Sequence, residues 1–323
     1  MNKKNPNRSV IFISTIAAFI TGATGFIGSA LCRKIIAENG IVYALVRENS
    51  KNIDRLPVDK NLKVIYGDLD DFGHIKEQLS QLEIDINIFY HLGWKGVGNK
   101  DRNDSIQSQN IESTVQSLLL AHSLGCSKWV GTGSQAEYGP VNSKISEEYS
   151  TKPTTFYGAS KLSASILTQV LGNQLNINTV WARVFSTYGP GDNSGWMLID
   201  LINTLLDKQK PKLTLGEQLW DYLYVDDAAN ALYKLGITPN SQGVYNLGSG
   251  NAKKLKNIIE ITRDLIDPSL PLGFGDIPYR PDQVMHLEAD VSKLIRDTGW
   301  QPEFNLETGL GRTIEYIKNE KNR

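Results

Sequence analysis

Cysteine is nearly absent: the 323-residue chain carries two, Cys32 and Cys126. Two thiols at no motif spacing argue against a disulfide framework or a zinc site, and for a reducing compartment. The four histidines, His74, His91, His122 and His286, show no ligand spacing either. Each reads as structural, and no metal is expected. A charge excess is also missing, with 34 Lys plus Arg against 35 Asp plus Glu and a formal net charge of −1. The cations are scattered, which leaves no footprint for nucleic acid. There is no internal repeat and no low-complexity segment. No apolar run reaches the ~20 residues of a membrane span. The run Val10 to Ile20, after Lys3, Lys4 and Arg8, resembles a signal peptide. It continues into a glycine turn, however, so cleavage would remove a strand. Its second half, from Thr15, is read as that strand, and Met1 to Ser14 as an extension. The expectation is a soluble, cytoplasmic protein with no membrane partner.

What is present begins at Thr21-Gly22-Ala23-Thr24-Gly25-Phe26-Ile27-Gly28. An apolar strand pattern leads in, and an amphipathic run from Ser29 to Glu38 leads out. Gly22 permits a tight turn with positive φ, Gly25 a close approach to phosphate, and Gly28 close packing of the helix. Free N–H groups and the dipole at the helix start make an anion site. In this strand–turn–helix context the glycines predict a dinucleotide cradle.

Strand and helix patterns then alternate, which predicts an α/β fold: a Rossmann-type doubly wound parallel sheet. Strands are expected at Ile41–Val46, Leu62–Tyr66, Ile86–His91, Trp129–Thr132 and Thr179–Val184, with helices at Ser105–Ser123 and Phe156–Leu175. After Phe185 the pattern becomes less regular. A helix at Met197–Leu206 and a short strand near Leu213 precede Tyr222–Val225, a helix at Asp226–Leu235 and Val244–Leu247, which look like a return to the sheet. The proline-bearing remainder reads as irregular. The domains are therefore set at 1–185 for the cofactor, with about 222–250 returning to it, and 186–323 for a smaller, interleaved substrate domain.

The second strand ends Leu45-Val46-Arg47, with no acid to hold ribose hydroxyls. A guanidinium there suits a 2′-phosphate, so NADP(H) is favoured over NAD(H). Asp68 and Leu69 sit where a loop after the third strand can reach the adenine. Tyr157 and Lys161 lie at i and i+4 on one helix and face the same way. A nearby ammonium, helped by an oxidised nicotinamide, lowers a phenol pKa towards neutrality, making Tyr157 an acid–base group. Ser134, ending the fifth strand, can hydrogen-bond a substrate oxygen beside it. Asn110 can support a water or a backbone carbonyl behind the lysine, or be an exposed helix residue.

With Thr21 to Gly28, Gly67-Asp68-Leu69, His91-Leu92-Gly93, Ser134 with Tyr138-Gly139, Tyr157 with Lys161, Arg183 to Gly191, Tyr222 to Asp227 and Arg280-Pro281-Asp282, the chain resembles the extended short-chain dehydrogenase/reductase family. The likeness is to its nucleotide-sugar epimerase/dehydratase/reductase branch. It implies catalysis by Ser134, Tyr157 and Lys161, with cofactor contacts from Gly22, Thr24, Gly25, Phe26, Ile27, Gly28, Arg47, Asp68, Leu69, Leu92 and Lys161. It implies a nucleotide-diphosphate sugar partner held by Ser134, Gln135, Tyr157 and Arg280, and a homodimer through the two long helices. Family dehydratases carry an Asp-Glu pair where this chain has Gln135-Ala136, and epimerases acting at C3 or C5 carry a cysteine near that loop. Trp220 stands where the family often has arginine, and reads as an aromatic between domains. The loop from Gly133 to Gly139 resembles those of 4-keto reductases making CDP-abequose or CDP-paratose, and of some dTDP-6-deoxyhexose reductases. The expected activity is NADPH-dependent reduction of a C4 ketone in surface-polysaccharide precursor synthesis. An NAD(P)-dependent nucleotide-sugar 4-epimerase using the same residues is the alternative, and a non-catalytic NADP-binding protein a further one.

Overall fold

The computed structural model describes residues 16–82, 84–281 and 283–322. The extension read at Met1 to Ser14 lies outside them, as does Asp282 of the Arg280-Pro281-Asp282 motif. Strands run in the order β1 (Ala17–Thr21), β2 (Ile41–Val46), β3 (Leu62–Tyr66), β4 (Ile88–His91), β5 (Lys128–Ser134), β6 (Ser143–Ile145), β7 (Asn178–Val184) and β8 (Ser186–Tyr188). They continue with β9 (Lys212–Leu213), β10 (Leu219–Trp220), β11 (Tyr222–Tyr224), β12 (Gly243–Leu247), β13 (Lys253–Lys254), β14 (Gly273–Phe274) and β15 (His286–Ala289). The helices are α1 (Phe26–Ala37), α2 (Phe72–Ser80), α3 (Ile106–Ser123), α4 (Phe156–Leu175), α5 (Met197–Leu206), α6 (Val225–Ile237), α7 (Leu255–Ile266), α8 (Ser292–Thr298) and α9 (Leu306–Lys321).

Seven strands form one parallel sheet in the order β12-β7-β5-β4-β1-β2-β3. Ala18 is in register with Val42 on one side and Ile88 on the other, so strand order reverses across β1. Ligands of such sheets bind at the carboxyl ends of the strands, at this switch point. The two faces are separated by period-2 alternation. Ala18 and Ile20 pack with Leu31 and Ile35 of α1 and with α6, while Ala17 and Phe19 pack with α2, α3 and α4. This is the doubly wound architecture expected from the alternating pattern.

The stretch read as a return to the sheet divides in two. Gly243–Leu247 does join it, beside β7. Tyr222–Tyr224 instead pairs with β8 in a separate two-stranded sheet. Short apolar runs of this kind carry no record of their partner. The proline-bearing tail is also more ordered than expected, because α7 and α9 fill it. Pro268 lies just beyond α7 and Pro302 before α9, whereas Pro271, Pro278 and Pro281 lie in the stretch between α7 and β15, whose regular element among the described residues is the short β14. β10 and β15 join β6 and β13 in a four-stranded sheet, and β9 pairs with β14.

Candidate active site

The glycine turn closes with Gly25 N donating to Gly22 O at 2.9 Å. Gly22 has φ +69°, and a Cβ there would sit 2.7 Å from Gly93 N after β4. A Cβ on Gly28 would overlap Gly22 O. Gly25 is the N-cap of α1 and supplies no side-chain cap, so no side chain of the turn competes for the helix's first N–H groups. Thr24 accepts a 3.2 Å hydrogen bond from Ser50 Oγ, which ties the turn to the segment after β2. Phe26 and Ile27 are half-buried against the core of the α1 face. This cradle fits a dinucleotide pyrophosphate: open backbone donors, and no room for a Cβ at the turn.

Beyond β2 an open cleft of about 670 Å³ is lined by Arg47, Glu48, Ser50, Lys51, Tyr66 and Asp68, among others. Arg47 and Asp68, chosen for opposite ends of an adenosine, thus share one cleft, and a carboxylate the sequence reading passed over, Glu48, lies there too. Asp68 pairs with Lys95 at 2.9 Å. Burial raises the Asp68 pKa, but Lys95 and backbone N–H groups outweigh it and hold the carboxyl below its usual range. Leu69 and Leu92 are half-buried on the loops that follow β3 and β4.

His91 ends β4 fully within the core. Its Nδ1 shares a 3.0 Å hydrogen bond with Thr21 Oγ1, and its Nε2 a 3.2 Å bond with Thr114 Oγ1. Burial, with Lys161 nearby, pulls its pKa down to about 3, so it is neutral and structural. Asn110 turns to Lys95, accepting from its N at 2.7 Å and donating to its O at 2.9 Å. It holds the loop after β4 and leaves Lys161 to other partners.

The chemical group assembles at the ends of β5 and α4. Thr155 Oγ1 caps α4 by accepting from Gly158 N at 3.1 Å. Tyr157 N donates to Arg102 O at 2.8 Å, and Phe156 N to Asn103 Oδ1 at 3.0 Å. The Tyr157 side chain is 8% exposed and faces Ser134. Burial raises its pKa, against the lowering expected from the lysine, while Ser134 and Arg102 pull it back. Lys161 is 3% exposed, and its Nζ donates to Thr132 O at 2.6 Å and lies 3.7 Å from the Trp94 ring centroid. Burial lowers its pKa to about 7, with Glu137 opposing. Trp94 opens the loop, Trp94 to Lys100, on which the sugar's pose is expected to depend, while Arg102, further along the segment between β4 and α3, has no signal in the sequence. Both lie far along the chain from the helix they touch.

Ser134 is held by the turn that follows it. Glu137 is completely buried and accepts from Ser134 N at 2.8 Å, Trp181 Nε1 at 2.9 Å and Arg183 Nε at 2.7 Å. The arginine stacks 4.4 Å from the Tyr138 ring centroid, and Tyr138 donates to Asn246 Oδ1 at 2.7 Å. Gln135 and Ala136 are half-buried in the same 3-10 turn. Of the other residues read as substrate ligands, Arg280 lies on a different element, an exposed turn before β15 closed by Gln283 N donating to its carbonyl. Trp220 donates to Ser186 Oγ at 2.8 Å and packs on the core, as its aromatic reading anticipates.

Residues 18–248 match the sequence profile of the NAD dependent epimerase/dehydratase family. A dTDP-glucose 4,6-dehydratase of Escherichia coli is 25% identical over 342 residues, covering 93% of this chain and 92% of that protein. The CDP-abequose synthase of Salmonella muenchen is 24% identical over 302 residues, covering 91% and 96%. A crystal structure of the UDP-glucuronic acid 4-epimerase of Bacillus cereus in complex with NAD superposes with a TM-score of 0.80 at 25% identity. It covers 94% of this chain and 99% of that one. No helix among the described residues is long and apolar enough to cross a membrane.

Proposed function

The chain belongs to the NAD dependent epimerase/dehydratase family, and from that premise we propose that it reduces the C4 ketone of a nucleotide-linked 4-keto-6-deoxyhexose with NADPH. The observation that carries this reading is the state of the loop after β5. Ser134, at the end of β5, lies beside the buried Tyr157, the pairing that ketone reduction requires. Among the described residues no free carboxylate stands beside them to remove or return a proton for dehydration: Gln135 and Ala136 occupy that place, and Glu137 is spent on Ser134 N, Trp181 and Arg183. The likeness to a CDP-abequose synthase supports the same branch, and a place in surface-polysaccharide precursor synthesis.

A bound dinucleotide supplies the hydride. The turn from Gly22 to Gly28, with Thr24, Phe26 and Ile27, holds its pyrophosphate; Asp68, Leu69 and Leu92 flank its adenine and the path between. Arg47, with Lys51 in the same cleft, favours a 2′-phosphate. Ser134 orients the ketone oxygen, and Tyr157 passes it a proton. Lys161 holds the nicotinamide ribose and the charge beside the phenol. Gln135 and Arg280 bind the sugar and the diphosphate. The boundary at 185/186 would separate cofactor and substrate binding. A cytoplasmic homodimer is part of the proposal: Ile166, Leu167 and Val170 on α4 and Leu119 on α3 leave an exposed apolar stripe.

A 4-epimerase is the second reading, favoured by Glu48 in the cleft, where a carboxylate can hold ribose hydroxyls, and by the NAD-bound epimerase with this fold. NADPH absorbance separates the two. Mixed with CDP- and dTDP-linked 4-keto-6-deoxyhexoses, a reductase oxidises NADPH stoichiometrically, whereas an epimerase leaves it unchanged. Tyr157→Phe should abolish most turnover and spare NADPH affinity; near-normal turnover would sink the assignment.

A further inference from the structure

The loop after β4 brings a second cation to Tyr157. The Arg102 guanidinium carbon lies 5.1 Å from the Tyr157 ring centroid, whereas Lys161 Nζ is 6.0 Å away. On its other side Arg102 stacks 5.9 Å from the Trp196 ring. Its backbone cannot drift, because its carbonyl accepts Tyr157 N at 2.8 Å. Asn103, the next residue, caps Phe156 N. Gln107 braces the rest of the loop: it accepts from Trp94 Nε1 at 2.8 Å and donates to Gly96 O at 2.6 Å and Asp101 O at 2.9 Å. Arg102 Nε is buried and has no hydrogen-bond partner among the described residues.

We propose that Arg102 is a positioning residue for proton transfer: it holds a permanent positive charge against the Tyr157 ring and stabilises the phenolate left when the proton departs. This rests on Tyr157 being the proton donor. In that step the Tyr157 O–H bond breaks, the proton passes to the substrate oxygen, and the electron pair stays on the phenol. Four groups face this phenol. Ser134 comes from β5, Glu137 from the turn after it, Lys161 from α4 and Arg102 from the loop. Glu137 opposes ionisation, Ser134 and Arg102 favour it. The lysine is an inconstant partner, since burial brings it to about 7 and Trp94 covers it. A guanidinium does not deprotonate. The residue that keeps its charge at every working pH is the closer one.

The test reads Tyr157 ionisation without turnover. Tyrosinate absorbance is titrated in the NADP+-loaded protein, and subtracting the matching Tyr157→Phe titration isolates the one phenol. Arg102→Gln should raise its pKa by about one unit or more, the scale of a removed neighbouring charge. Arg102→Lys should restore most of the shift. Arg102→Met, which keeps an apolar stem between Tyr157 and Trp196, should behave like Arg102→Gln and serves if the amide variant folds poorly. With substrate, the alkaline limb of kcat should move up by the same amount in Arg102→Gln while KM for NADPH holds. An unchanged titration in Arg102→Gln, or an equal shift in Arg102→Lys, would overturn the proposal. If the substrate class is wrong, turnover is absent but the titration difference remains, so the two failures are distinguishable.

Discussion

Glu137→Gln perturbs the active-site loop from behind, and its cost can be worked out from contacts. The glutamate is fully buried and accepts from three donors. An amide can keep two: its oxygen can replace the Oε1 that serves Ser134 N and Trp181 Nε1. Its NH2 then faces the Arg183 guanidinium, donor against donor, and a buried cation loses its counter-charge. Breaking a buried pair from one side costs about 3–5 kcal/mol, and the two retained bonds put this case near 3. That is a large share of the 5–15 kcal/mol that typically holds a fold together. With a urea slope of about 3 kcal/mol/M, the unfolding midpoint should fall by roughly 1 M. Ser134 then rests on a loop whose anchor is weakened, and kcat should drop about tenfold, since small misplacements of reacting groups are costly. Adding Arg183→Met removes the stranded cation and should recover part of the stability. Urea unfolding followed by tryptophan fluorescence measures both. A single variant with the wild-type midpoint would refute this account of the loop.

Arg47→Ala should weaken NADPH binding by roughly 10-fold or more, the scale of a lost charge-assisted bond, and NADH binding much less; equal losses by calorimetry would remove Arg47 from the 2′-phosphate. Gly28→Ala should force the turn apart, because its Cβ overlaps Gly22 O; the loss of cofactor-induced thermal stabilisation should exceed the loss of stability of the free protein. Lys161→Met tests the sign of a burial effect. The folded lysine sits at about 7 against 10.5 unfolded, so between those values the unfolded chain binds the extra proton and wild-type stability rises with pH. The slope should exceed that of the variant by up to about 1.4 kcal/mol per pH unit, and parallel curves would contradict it. Replacing Ile166 and Val170 with glutamate should turn a dimer into a monomer in sedimentation; a wild-type monomer would remove the stripe on α4 as an interface.

What was legible in the sequence was chemistry bound to residue type at short range. Gly22 and Gly28 are readable because a Cβ there would run into backbone, Gly25 because its Cβ would crowd Gly22 O, and Tyr157 with Lys161 because one helix turn joins them. The α4 boundaries, Phe156 to Leu175, could be read for the same local reason. The tail is more helical than its prolines suggest because α7, α8 and α9 flank an irregular stretch, between α7 and β15, in which Pro268, Pro271, Pro278 and Pro281 are gathered. Tyr222–Tyr224 pairs with β8 rather than with the main sheet, because alternation identifies a strand and not its neighbour.

The electrostatics of the site belong to the part that sequence hides. Reading Tyr157 and Lys161 as a pair predicts a phenol pulled down by its lysine. The folded site instead buries both, which raises the phenol pKa, lowers that of the ammonium to about 7, and weakens the lysine as a source of charge. Compensation then has to come from groups that reach the phenol across the fold. Ser134 does so from β5, and Arg102 does so from a loop whose backbone also accepts Tyr157 N in the first turn of α4. That double attachment has a consequence. Any change that shifts the loop after β4 moves the helix start and the cation together, so under the proposed mechanism Gln107 and Asn110, which brace that loop, would act on proton transfer from a distance. Activity should therefore be more sensitive to Gln107→Ala, which unpins the loop, than its distance from the substrate would suggest.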